Sequence, residues 1–260
     1  MELEAVAKGY LRMDRDGPTA TVTVNRPQAA NAMNSMMWRD LGALVRSLGE
    51  EPGVRVIILR GAGDRAFVAG ADIKEFQEIM TSRDGARQYL TWVEGAMSAV
   101  ETVPKPVIAL VHGAAMGGGC ELAVACDLRY ASEDARFGIP AARLGIVITP
   151  MDTQRLARLV GPALAREILM AARILDAQEA LQAGLVNRVL PKGELEAYVH
   201  KLAKEMAQNA PLTVQGAKRF SLIPQGQVDT ALSERAFLSQ DFQEGVKAYL
   251  EKRPPRFQGS

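Results

Sequence analysis

Residues 112–123 read HGAAMGGGCELA, and the three consecutive glycines in them, Gly117, Gly118 and Gly119, decide how the rest of the chain is read. An apolar run over residues 106–111 ends just before them, and a helical pattern starts just after. Glycine weakens the interior of a helix or strand, so a run of it marks backbone that adopts positive φ or approaches something closely. If 106–111 is a strand and 118 onward a helix, the glycines sit at a strand's carboxyl end and a helix N-terminus, where N–H groups lack intrahelical partners. Those donors, with the helix dipole behind them, suit negative charge developing on a carbonyl oxygen, and Glu121 falls in the first turn beside it. The same residues also fit a packing role, with Glu121 as a first-turn acid that favours the dipole. This stretch alone leaves the two readings level.

Residues 65–75, RAFVAGADIKE, repeat the layout, with Ala69, Gly70 and Ala71 between an apolar segment and a helix opened by Asp72. Two such turns can each aim one N–H at the same oxygen, which is how an oxyanion hole is built from backbone. Asp72 has the type and position of a helix N-cap rather than a catalyst. Further out, residues 19–25, 54–60 and 106–111 are rich in β-branched side chains and bounded by Pro, Gly or Asn, as strands are. Between the first two, Met33, Met36, Met37, Leu41, Leu44, Val45 and Leu48 recur at helical spacing, and their methionines read as core filling. Asp176 with Glu179 predicts a capped helix start, and Gly184 its stop. A shorter strand is expected over residues 186–190. From about Tyr198 only helical segments are expected, broken at Pro211 and Pro224 and ending before Pro254 and Pro255. The expected organisation is an α/β core over residues 1–200 and a helical C-terminal part over 201–260.

Bulk properties narrow the function. The 260 residues, 48% hydrophobic and 23% charged, can bury one sizeable core. A net charge of +1, from 31 basic and 30 acidic side chains, provides no electrostatic footprint for nucleic acid or an anionic membrane. The apolar runs fall far short of the ~20 residues that span a bilayer. The opening MELEAVAKGY is mixed and acidic, unlike a secretory signal. Cys120 and Cys126, six apart on an expected helix, suggest neither a disulfide framework nor a metal site, and a reducing cytoplasm fits. Cys120 at a helix N-terminus could have a lowered pKa, but packing against the sheet is the preferred reading. The pair Lys218-Arg219 has no flanking aromatic stripe and reads as a solvated helix face.

Phe67 to Glu75 (FVAGADIKE) together with His112 to Ala123 closely resembles the enoyl-CoA hydratase/isomerase (crotonase) superfamily. Further matches, in the family's order, are Asn25-Arg26-Pro27 with Asn31-Ala32, Cys126-Asp127-Leu128-Arg129, Phe137-Gly138, Thr153-Gln154-Arg155-Leu156, Ala183-Gly184-Leu185-Val186, and Glu244-Gly245 through Glu251-Lys252-Arg253. The resemblance implies a spiral of ββα repeats with C-terminal helices that assemble a homotrimer, often paired into a hexamer. It implies an acyl-CoA thioester whose carbonyl oxygen is held by the N–H groups of Ala71 and Gly118, with Glu121 as general acid/base. It places Ala69, Gly70, Asp72 and Ile73 along coenzyme A, Arg26 near its phosphates, and Tyr249 and Lys252 at the adenine end of a neighbouring subunit's ligand. It implies no metal and no cofactor beyond coenzyme A as part of the substrate. His112 is expected at the strand end, in packing and a backbone hydrogen bond.

Two departures bear on the reaction. Hydratases of the family use a second glutamate that falls here on Ala141, in FGIPAARLG. Where they have a glycine-rich loop, this chain reads ITPMD, residues 148–152, with Thr149 at the position of another carboxylate in related dehalogenases and dienoyl isomerases. Asp152 is a candidate replacement acid, but its place before a helix favours an N-cap. Three readings follow: an enoyl-CoA hydratase (3-hydroxyacyl-CoA dehydratase) with one retained glutamate, which leads; an enoyl-CoA isomerase or acyl-CoA decarboxylase using the same enolate; and an acyl-CoA-binding member with vestigial chemistry.

Overall fold

The apolar run of residues 106–111 forms a strand, and it lies in the middle of a pattern repeated along the chain. The computed structural model describes residues 9–223, 227 and 230–260. β1 (Leu11–Asp16) and β2 (Thr19–Val24) lead into α1 (Ser35–Glu50), and β3 (Val56–Gly61) and β4 (Ala66–Val68) into α2 (Ile73–Ile79) and α3 (Arg83–Thr102). β5 (Val107–Val111) and β6 (Ala114–Met116) lead into α4 (Gly118–Ala125), and β7 (Leu128–Ser132) and β8 (Arg136–Gly138) into α5 (Pro150–Met170). The chain closes with β9 (Ile174–Asp176), α6 (Ala177–Gln182), β10 (Arg188–Leu190), α7 (Lys192–Ala207), α8 (Pro211–Leu222), α9 (Ala231–Phe237) and α10 (Gln240–Glu251).

The strands sort into two sheets, one ordered β1-β2-β3-β5-β7-β10 and one ordered β4-β6-β8-β9. In each of the three middle repeats the first strand joins the larger sheet and the second joins the smaller one. The neighbours β3, β5 and β7 run parallel, as do β4, β6 and β8. Each repeat therefore advances both sheets by one strand, which is the ββα spiral expected from the motifs. Both faces of the larger sheet are covered. Ile57, Leu59, Val107 and Ala109 point into the main core with Met37, Trp38 and Leu41 of α1. The alternate residues Val56, Ile58, Ile108 and Leu110 pack under Leu195, Val199 and Ala203 of α7. A strand buried on both faces reads as a continuous apolar run rather than an alternating one, which is why these strands were visible in the sequence.

Local chemistry sets the breaks. Asn34 caps α1 by accepting from the Met37 N–H, and Asp176 and Glu179 form a reciprocal capping box on α6. Gly184 takes φ +75° just past the end of α6, as its stop requires. Pro211 starts α8 at a position where a missing N–H costs nothing, and α10 ends at Glu251, before Pro254. Within α5, Gly161 at φ +77° followed by Pro162 kinks the helix. The break expected at Pro224, and most of the opening MELEAVAKGY, lie outside the described residues. Helix α7 runs through residue 200 and covers the larger sheet, and the described residues beyond it form helices only.

One expectation is corrected here. Lys218 does not sit on a solvated helix face. It is buried, its ammonium donates to the carbonyls of Val100 (3.0 Å) and Lys105 (3.1 Å), and it pairs with Asp127 at 2.8 Å. Asp127 in turn accepts from the Val107 N–H at 2.7 Å, so this pair ties α8 to the start of β5. Removing one member of a buried, hydrogen-bonded pair leaves the other charge uncompensated. Lys218→Met is therefore expected to destabilise the fold by about 3 kcal/mol or more. Chemical denaturation read by circular dichroism checks this, and an unchanged midpoint would refute the tie.

Candidate functional site

The site is built where β4 and β6 end side by side. After β4 the chain is laced to the segment that precedes α1: Ala69 N–H donates to Ala30 O (3.1 Å), Met33 N–H to Gly70 O (2.8 Å) and Asp72 N–H to Met33 O (2.8 Å). This lacing uses the Gly70 carbonyl and the Asp72 N–H on either side of Ala71. Among the described residues the Ala71 N–H has no acceptor. The segment at residues 30–33 is held in turn by Asn31, whose amide donates to the carbonyls of Ala62 (2.9 Å) and Ala66 (2.8 Å) and accepts from the Arg26 N–H (3.0 Å). The Asn25-Arg26-Pro27 and Asn31-Ala32 motifs thus shape the first turn from behind.

The second turn lies against the first. A Cβ placed on Gly70 would come within 2.9 Å of the Met116 carbonyl oxygen, so the two backbones are in contact. Gly117 enters α4 at φ +51°, ψ −123°, a conformation that side chains oppose, and its N–H is taken by Gly138 O at 2.8 Å. Gly118 follows as the first residue of α4, and its N–H is without an acceptor among the described residues. Gly119 has a packing role: a Cβ there would lie 1.9 Å from Val68 O, so α4 can approach β4 only through glycine. At its far end α4 is capped by Arg129, buried, whose guanidinium donates to Ala123 O (3.2 Å), Cys126 O (2.5 Å) and Leu185 O (2.7 Å). A cation on the carbonyl end complements the dipole that makes the opposite end a donor.

Glu121 is 7% exposed, and its Oε1 is buried without a hydrogen-bond partner. Loss of solvent pushes the carboxyl up to about 8, with Asp152 and Glu94 acting in the same direction and Arg155 against it. Near neutrality the acid form therefore predominates. Tyr89, on α3, also feels Glu121, and burial pushes its hydroxyl upward. Ala141 lies in a short 3-10 helix, Pro140–Leu144, with its methyl in the main core.

The remaining expected residues fall into place unevenly. Asp72 does cap α2, and its second oxygen accepts from Arg26 Nη1 at 3.0 Å. Arg26 also donates to Ala32 O (2.9 Å) and stacks over Tyr10, leaving its Nε buried and without a partner. Ile73 is half exposed beside the first turn. Tyr249 and Lys252 stand at the exposed end of α10, which packs on α9 rather than on the two turns of its own chain. Asp152 is not the cap of α5. Thr149 is, accepting from the Asp152 N–H, while the Asp152 carboxylate is 3% exposed and held by Thr149 Oγ1 (2.7 Å) and Arg155 Nη1 (2.8 Å). The capping was displaced because residue 149 precedes a proline at the first helical position, and the carboxylate is needed by Arg155. Cys120 is buried and its thiol pushed up to about 12, the opposite of the lowering that a helix N-terminus alone would give. His112 is packed at the end of β5 as expected, but its Nε2 has no partner, and burial lowers its pKa. What the sequence reading missed is the set around Arg155, which also binds Glu94 and Glu101 of α3 at 2.9 Å. The signal available was Arg155 itself, a cation next to Leu156 on the face of α5 that carries its apolar residues.

Among the described residues no group of three or more His, Cys, Asp or Glu side chains is placed to hold a metal ion, and no helix is long and apolar enough to cross a membrane. A family model described as enoyl-CoA hydratase/isomerase matches residues 15–260. The short-chain-enoyl-CoA hydratase of Clostridium acetobutylicum is 38% identical over 93% of this chain and 94% of its own length. The crotonyl-CoA hydratase of Syntrophomonas wolfei is 38% identical over 94% and 96%. A crystal structure described as an enoyl-CoA hydratase/carnithine racemase from Magnetospirillum magneticum superposes with a TM-score of 0.91 over 96% of both chains at 38% identity.

The state of Glu121 carries a stability cost with a definite sign. Its pKa of about 8 in the fold lies above the ~4.3 of an unfolded chain, so the folded protein holds a proton that the unfolded one releases. The cost is absent below the unfolded value, grows as pH rises and is complete above about 8, reaching on the order of 3 kcal/mol at pH 7. Glu121→Gln, neutral at every pH, is expected to gain in melting temperature relative to the parent as pH rises from 5 to 8.5. Differential scanning fluorimetry across that range reads the gap, and a constant gap would count against the buried, raised carboxyl.

Proposed function

The chain belongs to the enoyl-CoA hydratase/isomerase family, and from that premise we propose that it hydrates an enoyl-CoA thioester, and dehydrates the 3-hydroxyacyl-CoA, with one carboxyl group. The observation that carries this reading is the pair of unpaired N–H groups on adjoining turns, Ala71 and Gly118, beside a buried Glu121 with a free oxygen. In hydration the Glu121 carboxylate takes a proton from water, and the water oxygen bonds to the carbon β to the thioester. The double-bond electrons move into the thioester oxygen, where the two N–H groups and the positive end of α4 hold the enolate charge. Glu121 then returns its proton to the α carbon. One water is added across one double bond, and the carboxylate is regenerated. Because one group serves both steps, the hydroxyl and the proton add from one face. Coenzyme A enters only as part of the substrate, and the lacing of residues 69–72 supports their place along its pantetheine arm.

A second reading has one specific observation behind it. A glutamate protonated near pH 7, with no second carboxyl at Ala141, suits protonation of an enolate formed by loss of carbon dioxide from a malonyl-type thioester. The relatives' names favour the first reading. A vestigial binder has no use for a buried acid that costs stability. As to assembly, Phe237, Leu238, Phe242, Tyr249 and Leu250 expose an apolar face on α9 and α10, which supports a trimer or a pair of trimers with Tyr249 and Lys252 meeting a neighbour's ligand. A reducing cytoplasm suits two buried free thiols.

Crotonyl-CoA turnover separates these readings. As a hydratase the enzyme needs ionised Glu121, so kcat/KM should climb with pH through about 8 and then level. Glu121→Gln should lose roughly 10²–10⁴-fold. A decarboxylase needs the neutral form and should instead lose activity above about 8 on a malonyl-type thioester, while activity unaffected by Glu121→Gln would overturn both. Leu250→Glu should convert the assembly into smaller species in sedimentation velocity, and an unchanged species would place the interface elsewhere.

A further inference from the structure

The two unpaired N–H groups of the site belong to turns far apart in the sequence, and the start of α1 touches both. Met33, just before the helix, is bonded to the first turn: its carbonyl accepts from the Asp72 N–H and its own N–H donates to Gly70 O, each at 2.8 Å. Ser35, the first residue of α1, adds a further tie, because its N–H (2.7 Å) and its hydroxyl (2.6 Å) both donate to the Glu75 carboxylate on α2. One turn along α1, Trp38 meets the second turn. A Cβ built on Gly118 would come within 2.9 Å of Trp38 Cζ2 and 3.3 Å of Cη2, and the three atoms nearest to it all belong to Trp38. Gly118, unlike Gly117, does not take a positive φ, so backbone conformation gives no reason for glycine there, whereas the indole rim does. Trp38 is fully buried, and its Nε1 has no hydrogen-bond partner, so packing rather than hydrogen bonding holds the ring. Behind it α1 lies close on α3: a Cβ on Gly42 would meet Gly95 O at 3.1 Å and Ala96 Cα at 3.2 Å. A ring packed in this way has little slack to yield.

We propose that Trp38 is a positioning residue for the two N–H donors: with Met33 bonded to the turn of Ala71 and the Trp38 indole set against Gly118, the start of α1 fixes the spacing between them. The proposal rests on the reading of those N–H groups as the holders of the enolate charge. Two donors serve one oxygen only when both come within hydrogen-bond distance of it, so their separation is part of the chemistry. Residues 33–38, most of them helical, form the spacer that sets it. The indole also makes glycine obligatory at 118, because any side chain there displaces the backbone and its N–H together.

The test is a double-mutant cycle on kcat and KM for crotonyl-CoA hydration, with the full-length parent, Gly118→Ala, Trp38→Leu and the two combined. Alanine keeps the N–H at 118, so a loss reports the donor's place and not its removal. Gly118→Ala alone is expected to lower kcat by about 10²-fold, as a displacement of ~1 Å does, with KM changed by much less. Trp38→Leu alone, which removes Cζ2 and Cη2 and leaves a gap beneath Gly118, is expected to lower kcat about fivefold. In that background the alanine should cost only about twofold more, so the combined variant turns over faster than Gly118→Ala. A gain from combining two damaging substitutions is something a merely structural role for Trp38 does not give. Multiplied losses in the combined variant, or full activity in Gly118→Ala, overturn the inference. Circular dichroism checks folding. Should Gly118→Ala fail to fold, Trp38→Phe decides, since phenylalanine lacks both the outer rim and the unpaired N–H: a lowered kcat with KM and melting temperature near the parent's supports the proposal, and the parent's kcat overturns it. Full activity in Glu121→Gln, or no turnover in the parent, would instead remove the hydratase reading beneath it, whereas an inactive Glu121→Gln with multiplied losses in the cycle overturns this inference alone.

Discussion

The contact between Gly119 and the Val68 carbonyl is the constraint from which the rest of the site follows. A Cβ there would sit 1.9 Å from the oxygen, so no other residue lets α4 lie this close to β4. Close approach brings the start of α4 beside the turn after β4, and only then do the Ala71 and Gly118 N–H groups belong to one site. It also carries Glu121, two residues further on, into a space from which water is excluded. The unpaired Oε1 and the raised proton affinity are consequences of the same packing. A single van der Waals contact thus sets the donors, the acid and its protonation state.

Such a contact must be enforced from outside, since unpaired donors and a buried carboxyl both oppose folding. The enforcement is polar and comes from three directions. Asn31 locks the segment onto which the first turn is laced, using both its amide groups. Arg129 gathers the carbonyls at the far end of α4 and the Leu185 carbonyl into one buried cap. Asp127 and Lys218 anchor the start of β5 and reach α8. Asn31, Arg129 and Lys218 are buried, and each hands its donors to backbone carbonyls, with Asp127 as the charge partner of Lys218. The Cys126-Asp127-Leu128-Arg129 and Asn31-Ala32 motifs are therefore scaffolding of the site.

How much of this was legible in the sequence follows from the length and burial of each element. β2, β3 and β5 are buried on both faces and read as apolar runs, and the helix starts at Asn34, Asp72 and Asp176 carry their caps in the sequence. β4, β6, β8 and β9 are three residues long, too short to show a period of two, so the entire smaller sheet was invisible to pattern alone. β1, LRMDRD, is an edge strand with alternating exposure, and its charges masked it. Within the site, the two turns stood out because runs of glycine and small residues at strand ends mark close backbone approach, although packing and chemistry could not be told apart from one stretch alone. Asp152 was misread because an acid near a helix start fits two positions equally, and only Thr149, one residue before Pro150, distinguishes them. Lys218 was misread because burial of a lysine depends on carbonyls at residues 100 and 105, more than a hundred positions away in the chain.

On the hydratase reading, alanine at 141 changes what Glu121 must do, and the packing around Glu121 is consistent with that change. With two carboxyls, one can hold the proton while the other holds the charge, and neither needs an unusual proton affinity. With one, the same group must take a proton from water and deliver it to carbon, and a base that binds its proton too weakly removes little from water. A value of about 8 makes Glu121 a stronger base than an exposed glutamate by more than three decades, at the cost that only part of the enzyme is ionised at neutral pH. Burial supplies most of this strength, while Arg155 keeps the value from rising so far that the carboxylate is never populated. Burial and the alanine at 141 thus bear on the same acid, a single carboxyl that loses solvent and has no second carboxyl at 141 to share its charge.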